Sequence, residues 1–279
     1  MSRLFDSGRA SVVAPQVCRL LAPNPSLMTG PGTNSYLLGA DYAVVIDPGP
    51  IIESHLAAIL ELCAGKLQAI LVTHTHPDHS PAAAELARRS GAPLFGRPAP
   101  DGRHQDKSFV PDRVLHDNEV FDVAGVRLRV LHTPGHASNN LCYLREADGL
   151  LFTGDHIING STVVIDPPDG NMRAYLESLA RLRTEAVQRI APGHGELFDE
   201  PHAVIDWIIN HRLEREQKIV AALAGHPDKS CDELTRIVYA EVDERLHPVA
   251  ARSLLAHLLK LQLDGRAKRR DERWRLVPT

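Results

Sequence analysis

Apolar residues along this chain fall into short runs separated by turn-forming residues. Ser35–Leu38, Ala43–Ile46, Ala69–Val72, Val126–Leu131, Leu141–Leu144, Leu150–Thr153 and Arg189–Ala191 are rich in Val, Ile and Leu and bounded by Gly, Pro, Asn or Asp, which predicts buried strands. Between them, His55–Ala64, Pro81–Arg89 and Met172–Arg183 repeat apolar residues at three- and four-residue spacing, which predicts helices with one buried face. Strands alternating with helices imply a layered α/β or α+β domain. Past Pro201 the pattern changes. A long helix is predicted over His202–Ala224, broken by Gly225-His226-Pro227, followed by helices near Cys231–Val242 and Val249–Leu263. Gly265 then opens a basic, strand-like tail, RAKRRDERWRLVP. Three helices and a hairpin are the order of a winged-helix module, so the chain divides into a layered domain over residues 1–200 and a winged-helix-like module over 201–279.

The residues able to carry chemistry follow the predicted strands. His74–His79 comes directly after Ala69–Val72, His136 after Val126–Leu131, Asp155 after Leu150–Thr153 and His194 after Arg189–Ala191. Strand ends of this kind deliver side chains to one edge of a sheet, where α/β folds place their sites. In LVTHTHPDHS, His74 and His76 are alternate residues of an extended backbone and can share one ion, while Asp78 and His79 turn toward a second. A lone histidine is usually a satisfied packing residue; this crowding is not. The other candidates sit in the turns Thr133-Pro134-Gly135-His136, Thr153-Gly154-Asp155 and Pro192-Gly193-His194-Gly195. There, Gly and Pro set the sharp bends that let a side chain project from a strand end.

HTHPDH, TPGH, TGD and PGHG, in that order, resemble the metallo-β-lactamase superfamily over roughly residues 17–200. The resemblance implies an α+β fold, a four-layer αββα sandwich with the site at one edge. It assigns His74, His76 and His136 to one metal and Asp78, His79 and His194 to the other. Asp155 would bridge them, and Asp78 and Asp155 would be the catalytic carboxylates. Within the superfamily the nearest likeness is to the β-lactamase-like-protein-2 group, known for endoribonucleases. It is carried by Asn24–Leu37, the helix around Trp207–Arg215 and the winged-helix tail.

Imidazole and carboxylate ligands without a thiolate suit two Zn²⁺ ions and tolerate Mn²⁺ or Fe²⁺. Two such ions can acidify a bound water into the nucleophile, so neither Ser138 nor Cys142 is needed as one. Asp47, at a strand end, is a candidate anchor for a ligand imidazole, and His132 and His156 flank ligands and are candidates for the same backing role. Asn34 and Tyr36, beside the turn Gly30–Thr33, are candidate substrate contacts. His55, His104 and His257 read as solvated surface residues.

Composition narrows the partners. The 279 residues are 43% hydrophobic and 24% charged, with a formal net charge of −4, so nothing pulls the whole molecule toward nucleic acid. The local exception is Arg266, Lys268, Arg269, Arg270, Arg273 and Arg275, which read either as phosphate contacts for single-stranded nucleic acid or as a solvated wing that docks on the second subunit of a homodimer. Four scattered cysteines argue for a reducing compartment. No apolar run approaches the ~20 residues of a membrane helix, and Arg3, Asp6 and Arg9 interrupt any leader-like stretch. The expectation is a cytoplasmic hydrolase with no membrane partner, acting on an anionic or carbonyl-containing substrate.

Phosphodiester cleavage of RNA or DNA is the first reading. Hydrolysis of an ester, thioester or lactone, with promiscuous β-lactam cleavage, is the alternative. A nucleic-acid-binding regulator with a relic metal domain is opposed by the complete ligand set. The second metal site argues against the single-iron oxidative relatives.

Overall fold

The computed structural model describes residues 8–278; Arg3 and Asp6 lie outside them. The first sheet contains β1 (Ala10–Ala14), β2 (Val17–Leu21), β3 (Asn34–Leu38), β4 (Val44–Ile46), β5 (Ala69–Leu71), β6 (Leu94–Gly96) and β7 (Arg113–Val114) in that order. It is antiparallel up to β4 and parallel from β4 to β7. Helices α1 (Glu53–Cys63) and α2 (Ala82–Ser90) make the crossovers from β4 to β5 and from β5 to β6. The second sheet runs β12-β11-β10-β9-β8, formed by β8 (Val120–Val123), β9 (Val126–His132), β10 (Leu141–Arg145), β11 (Leu150–Gly154) and β12 (Arg189–Pro192).

The alternation of side chains fixes the layers. On β3, Tyr36 and Leu38 face the second sheet and pack with Leu128, Val130, Tyr143 and Phe152, while Leu37 turns to α1 and α2. On β9, Val126, Leu128 and Val130 point into the space between sheets, and Leu131 joins the outer face with Tyr175 and Leu179 of α3 (Met172–Leu182). The result is four layers, αββα, as expected from the motifs.

Beyond this sandwich, α4 (Pro201–Gly225), α5 (Cys231–Val238), α6 (His247–Leu263) and a small sheet of β13 (Lys229–Ser230), β14 (Ala267–Arg270) and β15 (Arg273–Leu276) surround the buried Trp274. α4 belongs to both cores: Ile205 and Ile208 pack outside the second sheet, whereas Ile219, Ala222 and Leu223 pack with Leu234 and Leu258. Ser230 and Glu233 form a capping box that starts α5. The helix predicted to Val242 stops at Val238, and His247 Nε2 ties the carbonyls of Tyr239 and Val242 at 3.2 and 3.1 Å in the turn beyond it. Among the described residues no helix is long and apolar enough to cross a membrane.

Candidate metal centre

Each predicted ligand sits just beyond a strand or in a tight turn at the same edge of the sandwich. Three of these turns admit only glycine, the first at Gly135, where a Cβ would stand 2.3 Å from Tyr175 Cα. At Gly154, φ is +52° and a Cβ would stand 2.3 Å from Thr73 Oγ1; at Gly193 it would meet Asp155 Oδ1 at 2.6 Å and His79 Cε1 at 2.7 Å. The backbone is thereby brought close enough for Asp155 and His194 to converge on the histidine loop.

His74, His76 and His136 form one group of potential donor atoms, and Asp78, His79, Asp155 and His194 a second; within each group the atoms lie within 4.8 Å of one another. Asp155 serves both sides. Its Oδ1 is 3.2 Å from Nε2 of both His79 and His194, and its Oδ2 is 3.8 Å from His136 Nε2. Asp78 Oδ2 approaches His194 Nε2 at 3.1 Å and His79 Nε2 at 3.5 Å.

The other nitrogen of most of these rings is tied down. Nδ1 of His79 meets Asp47 Oδ2 at 2.9 Å, that of His136 the Val164 carbonyl at 2.8 Å, and that of His194 the Gly32 carbonyl at 3.0 Å. These partners can only accept, so Nδ1 carries the proton and Nε2 presents a lone pair to the centre. His74 follows the same logic. Thr73 Oγ1 gives its hydrogen to Asp47 Oδ2 at 2.7 Å and accepts from His74 Nδ1 at 3.0 Å. The Nε2 atoms of His74 and His136 then both stand 3.0 Å from His76 Nδ1, three ring nitrogens facing one point.

This donor set fits divalent cations. Nε2 of His79, Nε2 of His194 and Oδ1 of Asp155 are buried without a hydrogen-bond partner, a costly state unless something else satisfies them. Burial holds the rings of His74, His76 and His136 to the neutral form, His76 at about 3, the form a metal ligand requires. For His79 and His194 burial also opposes charge, but the adjacent carboxylates outweigh it, raising His79 well above the usual imidazole range and His194 to about 10. Positive charge is what the second group demands, and cations can supply it in place of protons.

A cavity of about 400 Å³ opens above the centre. His76, Asp78, His136 and Asp155 face it from below, and Leu27, Met28, Arg103 and His104 flank it. Val249 and Arg252, from α6 of the C-terminal module, supply a further part of its wall.

Residues 28–194 match the family model of the metallo-beta-lactamase superfamily. The chain belongs to that superfamily. It is a metal-dependent hydrolase by family, and residues 230–274 match the beta-lactamase associated winged helix domain. A Beta-lactamase-like protein 2 homolog from Drosophila melanogaster is 35% identical over 266 residues, covering 90% of this chain and 89% of its own. An atrochrysone carboxyl ACP thioesterase from Aspergillus chevalieri is 31% identical over 281 residues, covering 96% and 87%. Among solved structures, a metallo-beta-lactamase family protein from Thermus thermophilus superposes with a TM-score of 0.79 at 23% identity, over 95% of this chain and 100% of its own, a likeness of fold.

Other candidates fall differently in this superfamily member. Asp47 accepts from Thr73 N at 2.7 Å as well as from Thr73 Oγ1 and His79, and so backs two ligand histidines. His132 and His156 back none. His132 Nε2 donates to the Ser138 carbonyl at 2.9 Å, and the buried His156 ring packs edge-on to Tyr175 with neither nitrogen bonded. Asn34 and Tyr36 are buried rather than open to substrate. Asn34 Nδ2 donates to the carbonyls of Pro192 and Gly195, and Tyr36 Oη to that of Pro192 at 2.8 Å, clamping the turn that holds His194. His55 and His257 are buried, not solvated. His104 is exposed, as expected, but stands on the cavity wall. Cys142 lies on the far face of the second sheet, its thiol pushed up to about 12 by burial; it is no nucleophile.

Sequence reasoning missed the support of His136. Its acceptor, the Val164 carbonyl, lies in a strap gripped by the C-terminal helices: Arg212 of α4 donates to the Val163 carbonyl, and Ile165 N reaches Ser253 Oγ of α6 at 3.5 Å. Arg212 is 3% exposed, stands over the Tyr175 ring at 5.6 Å and has no carboxylate partner among the described residues. The signal for it was a pair of charged residues, Arg212 and Glu216, on the face of α4 that Ile205, Ile208 and Ile219 otherwise make apolar.

Proposed function

We propose that this protein hydrolyses a carbonyl ester, a thioester foremost, with two divalent cations, zinc in the first place. The observation that carries the reading is the convergence of seven donor residues in two groups sharing Asp155, beneath a small cavity with apolar residues at its rim. His74, His76 and His136 would hold one ion, Asp78, His79 and His194 the other, and Asp155 would join them. Bound there, such ions acidify a water, polarise the scissile carbonyl and stabilise the charge that develops on its oxygen.

The chain's own groups do the positioning. Asp47 and the carbonyls of Val164 and Gly32 keep the ligand protons on Nδ1. Asp78, a quarter exposed and on the cavity floor, is placed to take up a proton from the attacking water and return it to the leaving group. The apolar rim suits an acyl group, and the thioesterase relative supports a sulfur leaving group.

RNA or DNA cleavage, the first reading of the sequence, keeps the likeness to the β-lactamase-like-protein-2 group but loses the support of the basic tail, because most of that tail is neutralised within its own module. Arg266 pairs with Glu216 at 2.9 Å, Arg269 with Glu272, Arg270 with Asp271 at 3.6 Å and Arg273 with Glu233 at 3.4 Å.

The test is a panel of acyl thioesters, aryl esters, lactones, a β-lactam and single-stranded RNA, offered to protein reconstituted with zinc, manganese or iron. Thioester turnover well above RNA cleavage, with close to two metal equivalents, is expected. RNA cleavage with inert esters and thioesters would reverse the assignment.

A further inference from the structure

We infer that the cavity selects a substrate carrying an anionic group, a carboxylate or a phosphate, away from the bond that is cut, and that Arg103 and Arg252 read it. The inference rests on the hydrolase reading above and adds the substrate's second recognition element.

Arg103 stands in a loop that is strapped to the metal-ligand segment. Gln105 Oε1 accepts from Thr75 Oγ1 at 2.6 Å, Asp106 N donates to the Thr75 carbonyl at 2.7 Å, and Ser80 Oγ donates to Asp106 Oδ2 at 2.6 Å. Thr75 lies between His74 and His76, so the loop is fixed relative to the first metal group. Its tip is held in a costly shape, with His104 at φ +65°. Neither Arg103 nor His104 makes a hydrogen bond or ion pair among the described residues, although both line the cavity. Strain spent to display two unpartnered side chains over a metal centre points to a ligand rather than to the fold.

Among the described residues that line the cavity, Arg103 is the cation without an ion pair. Asp78 and Asp155 belong to the metal groups. Asp169 accepts from Gln105 Nε2 at 3.1 Å and from Ser138 N at 3.2 Å, and Asp166 faces Arg252 at 3.4 Å. An arriving anion meets Arg103, which no carboxylate pairs among the described residues, and can share Arg252 with Asp166; guanidinium groups suit carboxylate and phosphate alike. The apolar length between anion and scissile carbonyl would lie along Leu27 and Met28, which are 77% and 53% exposed, and Val249. Because Arg252 belongs to α6, the C-terminal module takes part in choosing the substrate.

The test compares wild type with Arg103→Ala, Arg252→Ala and the double variant, all metal-loaded and matched in thermal stability. Three thioesters separate the possibilities: acetyl-N-acetylcysteamine is neutral, succinyl-N-acetylcysteamine carries the anion on the acyl part, and acetyl-coenzyme A carries it on the thiol part. The double variant should lower the ratio of kcat/KM for one anionic thioester over the neutral one by tenfold or more, mainly through KM, and the affected substrate tells which side carries the anion. Calorimetric binding of the products succinate and coenzyme A should weaken in parallel, a readout independent of turnover. Equal loss on neutral and anionic substrates, or unchanged product binding, would overturn the inference while leaving the hydrolase reading intact. Absence of any thioester or ester turnover would instead strike that reading, with product binding still deciding the role of the arginines.

Discussion

Two regions of this molecule crowd titratable side chains together: the floor of the metal centre and the basic hairpin at the end of the C-terminal module. On the floor, rings and carboxylates face one another at 3.0–3.8 Å, and several buried donor atoms have no bonding partner. In the hairpin nearly every arginine has found a local acceptor, Arg273 adding the Asp228 carbonyl at 2.7 Å to its carboxylate. Crowding alone therefore does not mark a site. What distinguishes one is convergence left unsatisfied by the protein itself.

The comparison breaks most easily at Asp155. Asp155→Ala removes the carboxylate shared by both donor groups, and activity should fall by about a thousandfold with loss of at least one metal equivalent by elemental analysis. A fully active variant with two ions would mean that the floor is held together by something else. One layer back, Asp47→Asn leaves the ligands in place but weakens the grip on the His79 and Thr73 protons. Metal affinity measured by chelator competition should drop about 10–100-fold.

A smaller effect separates buried histidines at the centre from those outside it. His55 donates from Nε2 to Ser35 Oγ, which itself donates to the Asp47 carbonyl, and its Nδ1 is buried without a partner. Burial pulls its pKa from 6.5 to about 4. The folded state therefore disfavours the proton that the unfolded chain accepts. This stabilising difference is complete above about 6.5 and is lost as the pH falls toward 4, by about 1.4 kcal/mol per unit inside that window. Denaturant titrations of metal-loaded His55→Gln should show a flatter loss between about pH 6 and pH 5 than the parent; identical slopes would refute the assignment. The smallest effect belongs to the hairpin. Neutralising Arg266, Lys268, Arg269 and Arg270 together should leave thioester turnover within about twofold and cost about 1 kcal/mol or less, mostly through Arg266 and the buried Glu216. Conversely, a collapse of turnover would show that the hairpin reaches substrate.

Much of this was legible beforehand where one physical rule dominates. The seven strands read from apolar runs have ends within a residue of those observed, because strands buried on both faces, as all of them but the half-exposed β9 are, leave little freedom of composition. The seven candidate ligands come together for a similar reason: turns that admit only glycine leave few ways to place His136, Asp155 and His194 against the His74–His79 loop. Strands β1, β2 and β6–β8 were hidden. In β2, Arg19 interrupts the apolar run, yet it is buried because Glu196 meets its guanidinium at 2.7 Å, a partner far away in sequence. The same holds for Asn34, Tyr36, His55 and Arg212. Each is polar in the sequence and buried in the fold, and its partner is a backbone carbonyl or a distant hydroxyl that no local pattern announces.

The strap Val163–Ile165 carries a consequence for how such chains can be recombined. One helix from each half of the C-terminal module holds it, and its central carbonyl orients His136 of the candidate metal centre. A chimera joined near Pro201, the place where composition changes, would inherit a foreign grip on that strap and a foreign α6 in the cavity wall. Transplanting the terminal module as a cassette should thus alter metal retention and substrate choice together, unless residues 163–165, Arg212 and Ser253 travel as one unit of inheritance.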